Sequence, residues 1–514
     1  MGVIVGPVLG FRGCKGNMWH TSALVVVSQD FTTPRLTWTV EGEGSGGELE
    51  AVLLKDFGRR GVWRFDWKVP QKDNEGLRVR YALTGDETYT YHVPAKGRPP
   101  HIAYASCAGF HSLKDMKRVE KKNAMWEVLA EQHRRKPFHL LLMGGDQVYA
   151  DLIWDEVPAL RDWLDKPLEK RLKAPFTEKM RAGTERFYFD LYCARWSQPE
   201  PKQVMSQVPT MMMWDDHDIF DGYGSYPEEQ QNCPVYRGVY EQAREHFSLF
   251  QLQLGEKDSP PEKLLAESEV PSKNLSYAHC IGDVALAVLD MRSERTQGQV
   301  MSLEAWDALE DWMNKEAKDC EHLLKHLLII SSIPVVYINS NMLETALGLF
   351  PGQQDFEDDL RDQWMSRTHK IERLRLIHRL LRFSQDKKCR VTIVSGDVHV
   401  AALGHISSQR DGGLAQNEVN AINQLVSSAM VNVPPSETVT YLMERVAGGE
   451  VEEIDRDITA ELQNFPGTNR RLIGARNWLS LTFDEKHNIW AEWYVEGKEV
   501  PYTKVVHSLE ALTY

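Results

Sequence analysis

The sequence predicts an α/β core, with β-sheets flanked by helices, preceded by an N-terminal antiparallel β-sandwich. Three observations carry this reading. Short strand-like runs separated by polar or glycine-rich turns fill residues 20–95. From residue 98 onward, apolar runs alternate with segments of helical period. Four of the later blocks, each at the end of an apolar run, are dense in metal-ligand residue types.

At 514 residues, the chain is long enough for more than one domain. We divide it into a β-sandwich over 1–97, an α/β domain over 98–440, and strands with a helix over 441–514 that complete the α/β domain. In the first part, Ser22–Val27, Leu36–Val40, Val62–Val69, Leu77–Leu83 and Thr88–Val93 read as strands, because β-branched and aromatic residues cluster between turns. The stretch Pro94–Pro100 reads as a linker. Beyond it, His101–Ala105, His139–Met143, Thr210–Trp214, Val284–Leu289, Leu327–Ile330 and Arg390–Val394 read as strands. Glu156–Lys173, Phe176–Trp196, Val235–Leu252, Leu303–Lys315 and Ile371–Arg382 read as helices, with apolar residues at three- and four-residue spacing. Trp478–Phe483 and Ile489–Val495 return to strands. The acidic run Glu450–Asp457 reads as a solvated loop or helix start.

Composition narrows the partners. The net charge of -14 argues against nucleic acid, whose phosphates need clustered Lys and Arg. Seven cysteines, an odd number without a C-x-x-C, fit reduced thiols in the cytoplasm better than a disulfide framework. The first residues lack a basic n-region and a long apolar core, so no secretion signal is read. The longest apolar runs are too short to span a bilayer. Nothing in the sequence fixes the oligomeric state.

Each of the four blocks has a chemical and a structural reading. In Gly145-Asp146-Gln147-Val148-Tyr149, the glycine permits a sharp turn off a buried strand. Asp146 and Tyr149 then reach one ion, or else cap a turn and cover the core. Trp214-Asp215-Asp216-His217-Asp218 flanks an imidazole with carboxylates, dense for a helix cap. In Ser395-Gly396-Asp397-Val398-His399, alternate residues of an extended chain face the same way, so Asp397 and His399 meet one cluster. Cys107 ends the run from His101 and is either a small buried apolar residue or a thiolate ligand. Arg292, after another apolar run, has the fork geometry for two phosphate oxygens. Arg295 reads as a surface ion pair with Asp290 or Glu294. Aromatic-rich segments 150–210 and 222–275 read as pocket walls.

In this order, the blocks resemble the alkaline phosphatase D (PhoD-like) family of metallophosphatases. The resemblance rests on Ala105-Ser106-Cys107, Gly145 to Tyr149, Trp214 to Asp218, Leu289 to Arg292, Ser332-Ile333-Pro334 and Ser395 to His399. It covers residues 98 to 435 and implies a metallophosphoesterase-like core. It further implies phosphomonoester or phosphodiester hydrolysis with Fe(3+) and Ca(2+). It would make Cys107, Asp146, Tyr149 and Asp397 iron ligands or neighbours of them, and Asp221 a calcium ligand; Asp216 and His399, placed by their own blocks at strand ends, complete the candidate metal residues. His217 and Arg292 would face the substrate as catalytic groups. Asp218 replaces the family's usual glutamate, and Asp221 stands where asparagine is common.

The function expected is therefore a cytoplasmic, metal-dependent phosphoesterase acting on a small phosphate ester. Metal ions would polarise the phosphoryl group and supply hydroxide for in-line attack. A nucleotide or lipid-headgroup phosphodiesterase on the same scaffold is one competing reading. A non-catalytic PhoD-like scaffold or interaction protein with a decayed site is another; it predicts missing ligands.

Overall fold

In a computed structural model, residues 2–28, 33–83, 87–256, 258, 264, 273–319, 324–338, 369–409, 420–447 and 451–510 are described. Cys320, Glu450 and much of the expected pocket wall after residue 256 lie outside them. The six described cysteines are free thiols.

Two large sheets face each other. The first has ten strands, in the order Tyr502–Val506, Ile489–Val495, Asn477–Phe483, Ile102–Ala105, Leu140–Met143, Thr210–Met212, Val3–Lys15, Met18–Ser28, Arg60–Pro70, Val52–Asp56. The second runs Tyr277–Ile281, Val284–Val288, His326–Ser331, Arg390–Ser395, Ala421–Val426, Ala401–Ser408, Ile458–Gln463, Glu452–Asp455, with Leu472–Ile473 pairing with Ala401–Ser408.

Strand alternation explains the layering. Tyr104, Leu142 and Met211 of one sheet share a core with Leu286, Ile330 and Leu425 of the other. The opposite faces are covered by helices. Ala103 and Leu141 meet Trp126 and Leu129 of the helix Ala124–Arg135. Leu327 and Val391 meet Leu376 and Leu380 of the helix Lys370–Lys387. Strands buried on both faces read as continuous apolar runs, as these do. Each fully buried aliphatic side chain contributes roughly 1.5–3 kcal/mol.

Parallel pairing aligns the strand ends. Ile102–Ala105, Leu140–Met143 and Thr210–Met212 are mutually parallel. So are Val284–Val288, His326–Ser331 and Arg390–Ser395. Every block singled out in the sequence lies just beyond the C-terminal end of one of these six strands, where open α/β sheets present loops to a ligand.

Several expectations need correction. Residues 1–97 do not close into a sandwich of their own. Val3–Lys15, not expected as a strand, pairs in parallel with Thr210–Met212 through Gly10 and Thr210. Thr210 Oγ1 donates to the Leu9 carbonyl at 2.7 Å. A four-stranded sheet of Gly46–Glu50, Arg35–Val40, Leu77–Leu83 and Thr88–Val93 does cover this region. It packs Tyr81 and Tyr91 on Trp67, with ring centroids 5.9 and 6.0 Å apart. Trp67 belongs to the ten-stranded sheet, so the second layer is shared with the rest of the chain.

The expected helix Glu156–Lys173 is three short ones, Ile153–Glu156, Pro158–Leu164 and Leu168–Lys173. Pro158 and Pro167 lack the amide hydrogen that continuation needs. The acidic run is a strand over Glu452–Asp455, whose Glu452 pairs with Arg373 at 2.8 Å. Among the described residues, no helix is long and apolar enough to cross a membrane.

Candidate metal centre

The site is made by loops that leave the strands in unusual backbone conformations. Nine non-glycine residues among those described have positive φ, and five are Cys107, Asp146, Tyr149, Asp397 and His399. Backbone strain of this kind persists where surrounding structure holds it and concentrates at functional sites. Gly145 has φ +124°, and a Cβ there would sit 2.7 Å from the Asp215 Cβ. A Cβ on Gly396 would meet Ser106 Oγ at 2.2 Å. These two glycines let the loops of both sheets close on one another.

Asp146 is the hub. Its carboxylate is 1% exposed, and Oδ1 has no hydrogen-bond partner among the described residues. Oδ2 accepts from Cys107 Sγ at 3.4 Å, and the same thiol lies 3.6 Å from the Asp397 carbonyl. Ligand atoms of Asp146, Asp216 and His217 lie within 4.8 Å of one another, as do those of Asp146, Asp215, Asp216 and Asp397. Burial and the neighbouring Asp215, Asp216 and Asp218 push the Asp146 carboxyl well above the carboxylate range, against the pull of His217. Burial pushes the Cys107 thiol up as well, reinforced by Asp146.

His217 stands between two carboxylates. Its Nδ1 is hydrogen-bonded to Asp151 Oδ1 at 2.9 Å, and its ring stacks on Tyr149 at 4.6 Å. Burial works to lower its pKa, but Asp151 and Asp216 prevail and hold it well above the ordinary imidazole value. His399 is the opposite case. Burial, then His217 and His111, pull it down to about 3, leaving a neutral ring. His399 Nε2 lies 3.1 Å from Tyr149 Oη.

The remaining acidic residues separate by role. Asp218 Oδ1 accepts from the amides of Gln147 at 2.8 Å and Val148 at 3.0 Å, and Oδ2 accepts from Asp215 N at 3.1 Å. It therefore ties the Asp146 loop to the Asp215 loop. Burial raises its pKa to about 7, with the three amides opposing. Asp216 stays below its ordinary value: burial opposes ionisation, but Arg292 and His217 outweigh it.

Arg292 is wholly buried rather than open to a substrate. It pairs with Asp215 through Nε and with Asp216 Oδ1 through Nη2 at 3.2 Å, and Nη1 donates to the Tyr223 carbonyl at 3.2 Å. Ser332 Oγ donates to Asp215 Oδ1 at 2.9 Å. The structure thus brings together Cys107, Asp146, Tyr149, Asp216, His217, Asp397 and His399. Asp221 belongs to neither ligand group; its backbone amide donates to Asp151 Oδ1 at 2.9 Å. Arg295 is 3% exposed rather than at the surface.

Two members escaped the sequence reading. Asp215 joins the second ligand group, and Asp151 holds His217. Both lie inside blocks already singled out, but which of several adjacent aspartates turns inward depends on loop conformation.

The donor set fits hard cations. It offers carboxylate oxygens, one phenol and imidazoles, with one thiol. The partnerless Asp146 Oδ1, buried among further carboxylates, has the surroundings of an atom meant for a cation.

Comparison with known proteins bears on family and fold. A sequence profile of the family described as PhoD related phosphatase matches residues 101–351 and 338–447. An uncharacterized protein of Saccharomyces cerevisiae, YGR266W, is 25% identical over 575 residues, covering 93% of this chain and 81% of that protein. The solved structure of PhoD aligns over 98% of this chain and 90% of its own at a TM-score of 0.57 and 14% identity, a likeness of fold.

Proposed function

The chain belongs to the PhoD-related phosphatase family, and on that premise we propose that it is a metal-dependent phosphoesterase hydrolysing small phosphate mono- or diesters. The observation that carries this reading is Asp146, common to both ligand groups, with a buried oxygen that finds no partner among the described residues. A carboxylate so placed is suited to bridge two ions.

Cys107, Asp146, Tyr149, Asp216, Asp397 and His399 would hold the ions, with Asp215 added to the set and Asp221 placed at its edge. Iron(III) suits the phenol of Tyr149, and calcium suits the carboxylates. When bound, such ions supply Lewis-acid polarisation of a phosphoryl group and activation of the attacking water.

The protein's own groups do the rest. His217, kept protonated by Asp151 and Asp216, donates a proton to the departing ester oxygen. Asp151 fixes which ring nitrogen faces that oxygen, because its bond occupies Nδ1. Arg292 balances the charge of Asp215 and Asp216 and so positions them for the ions. The convergence of six of the seven expected metal residues argues against a decayed scaffold. The low cysteine density supports a cytoplasmic setting.

The test is metal analysis of the purified chain combined with a panel of phosphomonoesters and phosphodiesters. Bound metal together with turnover of at least one ester class is expected. A folded, metal-loaded chain inert on the whole panel would overturn the reading.

A further inference from the structure

A cavity of about 180 Å³ lies beside the Asp146–Tyr149 loop, on the helix-covered face of the ten-stranded sheet. Ala108 and Gln147 line it from the loops, Met143 from the end of its strand, and Trp126, Trp196 and Met205 from the helices. None of the candidate metal residues lines it. Its lining includes two cations, Lys122 and Arg195, and no carboxylate.

Arg195 is the unusual member. Its Nε donates to the Val148 carbonyl at 3.3 Å, and among the described residues it forms no ion pair. Burial lowers the pKa of its guanidinium, with Tyr149 and Asp151 opposing. Arginine keeps its proton regardless, so a half-buried cation lines the cavity with no ion-pair partner among the described residues. Gln147 is 2% exposed and its Nε2 donates to the Met213 carbonyl at 3.1 Å, while its Oε1 has no partner among the described residues. A cavity of ~150 Å³ in another protein holds one benzene ring, which sets the size of an occupant.

We propose that this cavity binds a one-ring organic anion, with its carboxylate on Arg195, its ring against Trp126 and Trp196, and an O–H or N–H donor on Gln147. Aromatic walls and Met side chains suit a flat apolar body. The guanidinium suits a carboxylate. The site is separate from the proposed metal centre but shares its loop: Gln147 follows Asp146, and Arg195 holds the carbonyl next to Tyr149.

The test is calorimetric titration of the full chain with 4-hydroxybenzoate, phenol and inorganic phosphate. 4-Hydroxybenzoate is expected to bind, with phenol and phosphate each at least tenfold weaker, roughly the effect of one charge-assisted hydrogen bond or one buried ring. Arg195→Gln should weaken 4-hydroxybenzoate about tenfold. Met205→Trp, which fills the cavity, should abolish binding and serves if Arg195→Gln does not fold. Asp146→Asn should leave binding intact, separating this cavity from carboxylate capture by bound metal. No binding at millimolar concentration, equal affinity for phenol or phosphate, or loss of binding only in Asp146→Asn would overturn the proposal.

Discussion

Replacing Arg292 with glutamine asks whether this side chain organises the carboxylates or holds the substrate. In the structure it is fully buried, and Asp215 and Asp216, its partners, are 1% and 4% exposed. The change removes the cation from two buried ion pairs and leaves both carboxylates without it. Breaking a buried pair in this way costs on the order of 3–5 kcal/mol. Arg292 is also the largest influence holding Asp216 ionised against burial, so Asp216 should take up a proton more readily in the variant. The assay is urea unfolding of the metal-free chain followed by tryptophan fluorescence. A markedly lower midpoint is expected for Arg292→Gln. Arg292→Lys should fall in between, because lysine restores the charge without the fork that reaches two carboxylates. If Arg292→Gln unfolded within about 1 kcal/mol of the wild type, well short of a broken buried pair, while turnover collapsed, the positioning role would be refuted and a substrate-facing role restored.

Three further outcomes are expected. His217→Ala should slow esters with poor leaving groups by ~10²–10⁴ and nitrophenyl esters much less; equal losses on both would assign the histidine to metal or substrate binding instead. Iron-loaded protein should absorb in the visible through Tyr149, and Tyr149→Phe should lose that band; identical spectra would remove the phenol from the iron. The chain should lose thermal stability as pH falls from about 6.5 toward 4. Burial holds His101 and His139 at about 3 and His326 at about 4, below their ordinary 6.5. They stay neutral in the fold while the unfolded chain takes up protons, so stability is full above 6.5 and declines below it. A melting temperature unchanged between pH 7.5 and 5 would contradict this.

The parts of the site legible in the sequence were those carried by local pattern. An apolar run that ends in ligand residue types marks a strand end, and this located Cys107 and Asp216 as well as Asp146 and Asp397, which also follow a glycine. The strand Ile489–Val495 begins and ends where its apolar run predicts. What escaped depends on contacts far apart in the chain. The pairing of Val3–Lys15 with Thr210–Met212 spans some two hundred residues, and glycines at 6, 10 and 13 obscure the strand itself. Two prolines were enough to break one expected helix into three pieces. The roles of Asp218 and Arg292 were invisible for a related reason. A carboxylate that receives three amides and a guanidinium locked between two carboxylates look, in sequence, like any ligand or phosphate clamp.

The central claim is that Asp146 anchors metal ions that hydrolyse phosphate esters. The most direct measurement compares metal content and turnover of bis(p-nitrophenyl) phosphate and p-nitrophenyl phosphate by the wild type and Asp146→Asn. The exchange conserves shape and replaces the carboxyl, whose Oδ1 has no partner among the described residues, with a group that cannot ionise. The account predicts metal and turnover in the wild type, and loss of both in a variant that remains folded, since the amide cannot give up a proton to supply the negative charge that a bound cation needs. A variant that keeps the metal and hydrolyses either ester at the wild-type rate would contradict it.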